Sequence, residues 1–229
     1  MDFIQSSVFF GVALSLASYG VGSLMQKRFK TVLCNPLLIS IVLTILVLLI
    51  FNIDYDSYYS GAKYLSYFLT PATVCLAVPL YEKLSLLRQN RRAILLGILS
   101  GVIATLLCVL AMAMLFGLSH KEYVTLLPKS VTTAIGMGVS EELGGYVTLT
   151  VAVIIITGLM GNIFAPAVCR IFKISDPVAK GVAIGTSSHA IGTARAMQMG
   201  EVEGAMSGLA IAVSGLLTVV GASIFSTFF

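Results

Sequence analysis

The sequence has little charge. Asp, Glu, Lys and Arg make up 10% of its 229 residues, against about a quarter in an ordinary soluble domain. With 58% apolar residues and a mean hydropathy of +0.99, that shortage excludes a soluble globular domain and specifies an integral membrane protein. The length accommodates about seven or eight membrane segments and no sizeable extramembrane domain. No CxxC pair occurs among Cys34, Cys75, Cys108 and Cys169, and the two histidines stand 69 positions apart. A disulfide framework or a structural zinc site therefore has no motif to support it, and no metal or cofactor is expected. No basic residue precedes Lys27, so the first apolar run lacks the basic start of a secretory signal and reads as a retained helix. No GxSxG elbow occurs, and Ser188 and His189 are adjacent, so on a helix they point about 100° apart. Enzyme activity is not expected.

What is present is a sequence of charge-free stretches at 3–26, 31–53, 64–81, 93–119, 143–169 and 204–229. Ten of the fourteen basic residues fall in 27–30, 82–92 and 170–180. The net charge of +4 thus reflects topology, with these loops on the cytoplasmic side, rather than affinity for nucleic acid. The N-terminus is then expected outside and the C-terminus in the cytoplasm. If 93–118 and 144–169 both cross, 121–142 must enter the membrane and turn back. Pro128, Gly136 and Gly138 weaken a straight helix there, although a full extra span is the alternative.

The expected fold is an all-α polytopic membrane protein: a single transmembrane domain over 1–229 with an N-terminal helix, a re-entrant segment at about 121–142 and two inverted three-helix repeats. The repeats cover about 33–118 and 144–228, each with an interrupted middle member. Gly97 and Gly101 form a small-residue face in the last member of one, Gly204 and Gly208 in the other. Interrupted helices meeting near the midplane are the pattern of secondary transporters.

Three segments carry the polar residues. Thr70-Pro71-Ala72-Thr73 opens a turn in which Thr70 and Thr73 offer hydroxyls to a substrate, or is a proline kink whose threonines bond their own backbone. Gly185 to Arg195 brings together Thr186, Ser187, Ser188, His189 and Arg195. Unwound, it exposes a half-helix N-terminus suited to an anion; otherwise it is a polar stripe packed on neighbouring helices. Residues 127–142 hold Lys129, Thr132 and Thr133 near the expected apex. Lys129 is a candidate carboxylate contact, or a residue reaching the interface or a glutamate. Glu141, Glu142 and His189 are candidate proton carriers. The alternatives are a solvated pair for the glutamates and a hydrogen-bonding spacer for the histidine.

Residues 69–82 (LTPATVCLAVPLYE), 127–145 (LPKSVTTAIGMGVSEELGG) and 185–196 (GTSSHAIGTARA) resemble signature stretches of the LrgB/CidB family of bacterial inner-membrane proteins, with similarity running through nearly the whole chain. Ala134 stands where many relatives have proline. The family includes the LrgB-like half of the plastid glycolate/glycerate translocator, and bacterial relatives are implicated in pyruvate uptake. The resemblance thus implies a small 2-hydroxy or 2-keto monocarboxylate (glycolate, glycerate, lactate or pyruvate) as substrate. It also implies a bacterial inner-membrane location and an LrgA/CidA-type small membrane protein as partner. Small-residue faces suit a homo-oligomer, a dimer being the simplest. The competing reading is a holin- or antiholin-like regulator of murein hydrolase activity, which needs packing faces but no interrupted helices with buried charge.

Overall fold

The computed structural model describes residues 8–29, 35–68, 71, 75, 81–82 and 84–229. Among these, every regular element is helical, and four helices are long and apolar enough to cross a membrane. The chain forms two compact units, Met1–Cys75 and Leu76–Phe229.

The first unit holds α1 (Val8–Phe29), α2 (Pro36–Ile50) and α3 (Tyr55–Ser66). Asn35 caps α2, its Oδ1 accepting from the Leu37 and Leu38 amides, with Pro36 at the first helical position. Both choices satisfy or remove donors that a helix start leaves open. Asp54 caps α3 in the same way through the Asp56 amide. Backbone meets backbone at two glycines of α1. A Cβ on Gly22 would lie 2.6 Å from the Pro36 carbonyl oxygen, and one on Gly11 2.2 Å from that of Tyr58. The first expected interruption, with Thr70 and Thr73, lies outside the described residues.

The second unit begins with α4 (Leu84–Phe116), whose 33 residues span about 50 Å. That exceeds the roughly 30 Å of hydrocarbon, so the basic stretch expected as a loop is helix extending beyond the apolar phase. Gly117, at φ +62°, ends α4 in the left-handed conformation that glycine adopts without strain.

The chain then folds back. α5 (His120–Leu126) and α6 (Thr133–Glu142) are joined by a turn and form a helical hairpin. Its base is closed by the Lys121 Nζ, 4.2 Å from the centroid of the Tyr146 ring, and by the Tyr146 amide donating to Thr125 Oγ1 at 2.8 Å. At seven and ten residues neither arm alone reaches across a bilayer. α7 (Val147–Ile171) then runs the full depth.

α8 (Pro177–Met199) departs from expectation. It is interrupted at His189, but it turns back where a crossing was expected. A Cβ on Gly181 would lie 2.5 Å from the Glu203 carbonyl oxygen, and one on Gly204 2.8 Å from Met197 Cγ. Gly181 and Met197 would stand about 24 Å apart on a straight helix, yet both ends reach the start of α9 (Glu201–Phe225). Across the bend, a Cβ on Gly192 would be 3.1 Å from Ile184 Cγ2. The segment 144–228 is therefore two crossing-length helices flanking a hairpin, rather than three crossings.

This subtracts one crossing and moves the end of the chain. The Tyr123 hydroxyl donates to the Phe225 carbonyl at 2.9 Å, and His120 Nδ1 contacts the Phe229 carbonyl. Phe229 thus shares a face with the base of the α5–α6 hairpin, whereas the expectation placed them on opposite sides. The glycine faces are used within the chain: Gly97 faces Val182, Gly101 faces Thr186, and Gly204 faces Met197.

Cysteines introduced singly at Lys121, Tyr146 and Thr227, with the native cysteines replaced, are expected to react with an impermeant reagent from one membrane face. Those at Lys173 and Glu201 are expected to react from the other. Thr227 reacting together with Lys173 would restore the crossing interpretation of 176–201.

Candidate functional site

Two turns placed at depth define the site. In the first, α5 stops at Pro128, which offers no N–H. The chain passes through Lys129, Ser130 and Val131, and restarts as α6 with Thr132 at the N-cap. The Lys129 ammonium donates to Ser130 Oγ at 3.1 Å. Thr132 has capping geometry, yet its side chain caps nothing, so the first-turn amides of α6 are not taken up by the residue that ordinarily takes one. A helix start next to an ammonium group favours an anion.

In the second, Ser187 and Ser188 end the outgoing arm of α8, and His189 turns the chain with φ 42° and ψ −142°. That region is costly for a residue with a Cβ, by about 1–3 kcal/mol, and it persists because the surroundings hold it. The His189 ring is buried, and its Nε2–H donates to the Ile154 carbonyl at 3.0 Å. The Thr193 hydroxyl donates to the His189 carbonyl at 2.9 Å and lies 2.7 Å from Ser207 Oγ of α9.

Both turns are fastened to α7. Asn162 Nδ2 donates to the Ile191 carbonyl at 2.7 Å. Gly158 and Gly161 leave the space the tip occupies: a Cβ on Gly161 would fall 1.7 Å from Ser188 Oγ, and one on Gly158 2.6 Å from His189 Cε1. Ile154 serves both hairpins. Its carbonyl accepts from His189, and its Cδ1 occupies the notch left by Gly136 of α6, where a Cβ would lie 2.3 Å away.

Beside the second hairpin lies a cleft of about 570 Å³ between α4 and the outgoing arm of α8. Asn90 and Asp176 line one end, Gly97 and Gly101 the middle, and Thr105, Thr186 and Ser187 the inner end.

The sequence-derived candidates therefore divide. Lys129, Thr132, Thr133, Ser187, Ser188 and His189 belong to the two turns, and Thr186 lies one residue outside the second. Arg195 stands about 9 Å along the return arm, with Nη1 donating to Gln198 at 2.9 Å and a buried Nε that has no hydrogen-bond partner among the described residues. Glu141 and Glu142 are exposed at the end of α6, remote from the turns. Four contributors were not foreseen: Ile154, Asn162, Asn90 and Thr105. Asn162 is the one the sequence could have flagged, as an amide in an apolar run four residues before Pro166.

Gly161→Val is expected to lower stability by about 1–3 kcal/mol, because α7 and the Ser188 turn must separate. Gly138→Ala, with nothing within 4 Å of the added carbon, is expected to be neutral or slightly stabilising. Thermal unfolding of the two proteins in one detergent makes the comparison; equal transitions would show that the α7 groove does not seat the turn.

Comparison with known proteins fits this arrangement to a family. The LrgB-like family matches residues 15–228. Antiholin-like protein LrgB of Bacillus cereus (strain B4264) is 36% identical over 221 residues, 96% of either chain. The antiholin-like protein LrgB of Bacillus anthracis (strain CDC 684 / NRRL 3495) matches with the same figures, 36% over 221 residues. No solved structure matches. With a match extending from the first helix to the last, this multi-pass membrane protein belongs to the LrgB-like family.

Proposed function

We propose that the chain is a secondary carrier for small 2-hydroxy or 2-keto monocarboxylates, of the glycolate, glycerate, lactate or pyruvate class. The observation that carries this reading is the convergence of two oppositely inserted hairpins on Ile154, with Lys129 and the uncapped start of α6 beside them. A charge at the centre of a bilayer costs about 3 kcal/mol on insertion scales, and interrupted backbone is tolerated only where protein or a watery cavity receives it. A carrier needs both features. A pore-former or packing regulator needs neither.

In this reading both hairpins are re-entrant. The end bearing Arg88, Arg91, Arg92, Lys173 and Lys180 is cytoplasmic by the positive-inside rule. His120 and Phe229 are then outside, and the cleft opens to the cytoplasm, giving an inward-facing state. Lys129 and the α6 amides take the carboxylate, and the Thr132, Ser187 and Ser188 hydroxyls complete the site. Arg195 supplies positive potential along the return arm. Proton coupling falls to His189 in preference to Glu141 and Glu142, because only the histidine stands at a turn. An LrgA/CidA-type membrane protein is the proposed partner, and a homo-oligomer the proposed assembly.

The relatives are named antiholin-like, which favours a second reading, that of a holin- or antiholin-like regulator. Uptake of labelled pyruvate and glycolate into proteoliposomes under an imposed pH gradient, with and without an LrgA-type protein, separates the two. Saturable uptake is expected, and Lys129→Ala is expected to reduce it about tenfold or more while membrane abundance is kept. Folded protein that moves neither acid in either setting would shift the assignment to the regulator.

A further inference from the structure

Among the described residues, one buried side-chain donor has no hydrogen-bond partner, the Nε of Arg195. The guanidinium is held at one corner, where Nη1 donates to Gln198 Oε1 at 2.9 Å. Nε and Nη2 form its other edge, the pair that takes a carboxylate side-on through two parallel bonds. Among the described residues that edge meets no carboxylate. The acid nearest to hand is engaged elsewhere. Glu203, buried at the start of α9, stands 3.9 Å from Lys180 Nζ. Its carboxylate lies over Gly200, where an added carbon would be 2.2 Å from Oε2. A buried charge without a partner is costly, which makes this edge a poor structural element and a fitting place for an anion that comes and goes.

Its place in the hairpin says when the edge is used. Ile191 stands one turn before Arg195 on the same helical face. The Ile191 carbonyl accepts from Asn162 of α7, and a carbon added to Gly158 would lie 2.9 Å from Ile191 Cβ. Arg195 thus continues the face by which the return arm lies on α7, between the turn at His189 and the end of the arm at Gly200. With Nε buried in this conformation, a solute reaches it only after the arm shifts. We infer that Arg195 is a carboxylate subsite that is closed in this conformation and opens during transport, gripping both oxygens of the acid between the second turn and the cytoplasmic face. A ligand that binds the open form and not the closed one draws the protein toward the open form, so the acid itself promotes the movement. This deepens the carrier reading above and rests on it.

The test is uptake of labelled pyruvate into proteoliposomes of the full chain with an LrgA-type protein. Thermal unfolding of the same chain in detergent, with and without pyruvate, accompanies it. Arg195→Lys keeps the charge and loses the planar edge, whereas Arg195→Met keeps the length and loses both. Each is expected to raise the pyruvate KM about tenfold or more and to abolish the rise in Tm that pyruvate gives the wild type. Without pyruvate, Arg195→Met is expected to melt no lower than wild type, because an unmet buried donor has been removed. If Arg195→Met does not fold, Arg195→Lys is judged by the same KM and Tm shift. An Arg195→Lys protein equal to wild type would mean a guanidinium that supplies charge alone or meets a lipid phosphate, and would overturn the subsite. An Arg195→Met protein that melts lower and loses uptake only in proportion to folded protein would overturn it too. Both results would leave the carrier standing. Wild-type protein that neither moves pyruvate nor is stabilised by it would remove both.

Discussion

Two turns of polypeptide sit where water is scarce, and the rest of the second unit is organised around receiving their main-chain groups. An amide or carbonyl without a partner in such surroundings costs several kcal/mol. α7 supplies much of the remedy. Its Ile154 carbonyl takes the His189 N–H, its Asn162 amide meets the Ile191 carbonyl, and its glycines let the backbone come near enough for both. Thr193 and Ser207 close the other flank from α9. The left-handed backbone at His189 is held in place by these contacts, and its side chain serves as one of them.

The polar bonding is unevenly shared. The side of the α8 hairpin against α7 and α9 is tied by hydrogen bonds, whereas the side against α4 meets glycine and a cleft. Such an interface slides more readily than one joined by directional bonds. At the opposite end of the unit the contacts are of another kind: Tyr123 holds Phe225 and its ring packs 5.2 Å from that of Phe229. One end is therefore loosely packed and the other closed by aromatic side chains.

How much of this was legible in the sequence depended on where the charges fell. Residues 121–142 could be read as folding back because basic clusters stand on either side of them, so the number of crossings between the clusters was constrained. Nothing comparable follows Lys180. Arg195 is the only later basic residue, and it lies within the hairpin, leaving the positive-inside rule nothing to count. The acidic pair Glu201 and Glu203 gives no substitute: Glu203 stands 3.9 Å from Lys180, so its charge reflects a local partner and carries no topological information. The polar residues at the turns were visible because hydroxyls, glycine and histidine are conspicuous in apolar runs. Thr105 was not, since one threonine among leucines resembles ordinary packing, and Ile154 acts through a carbonyl that every residue has.

The low hydropathy of α8 has a consequence for biogenesis. With Thr186, Ser187, Ser188, His189 and Arg195 in one 23-residue segment, it is a weak substrate for lateral release into lipid, unlike α7 and α9, which rank among the crossing helices. Its groove exists only once those neighbours stand side by side in the bilayer. In the carrier reading, with α8 re-entrant, docking of the hairpin follows insertion of its flanks. Newly made chain with α7 and α9 inserted and α8 still outside is the species on which a quality-control protease or an assembly partner would act.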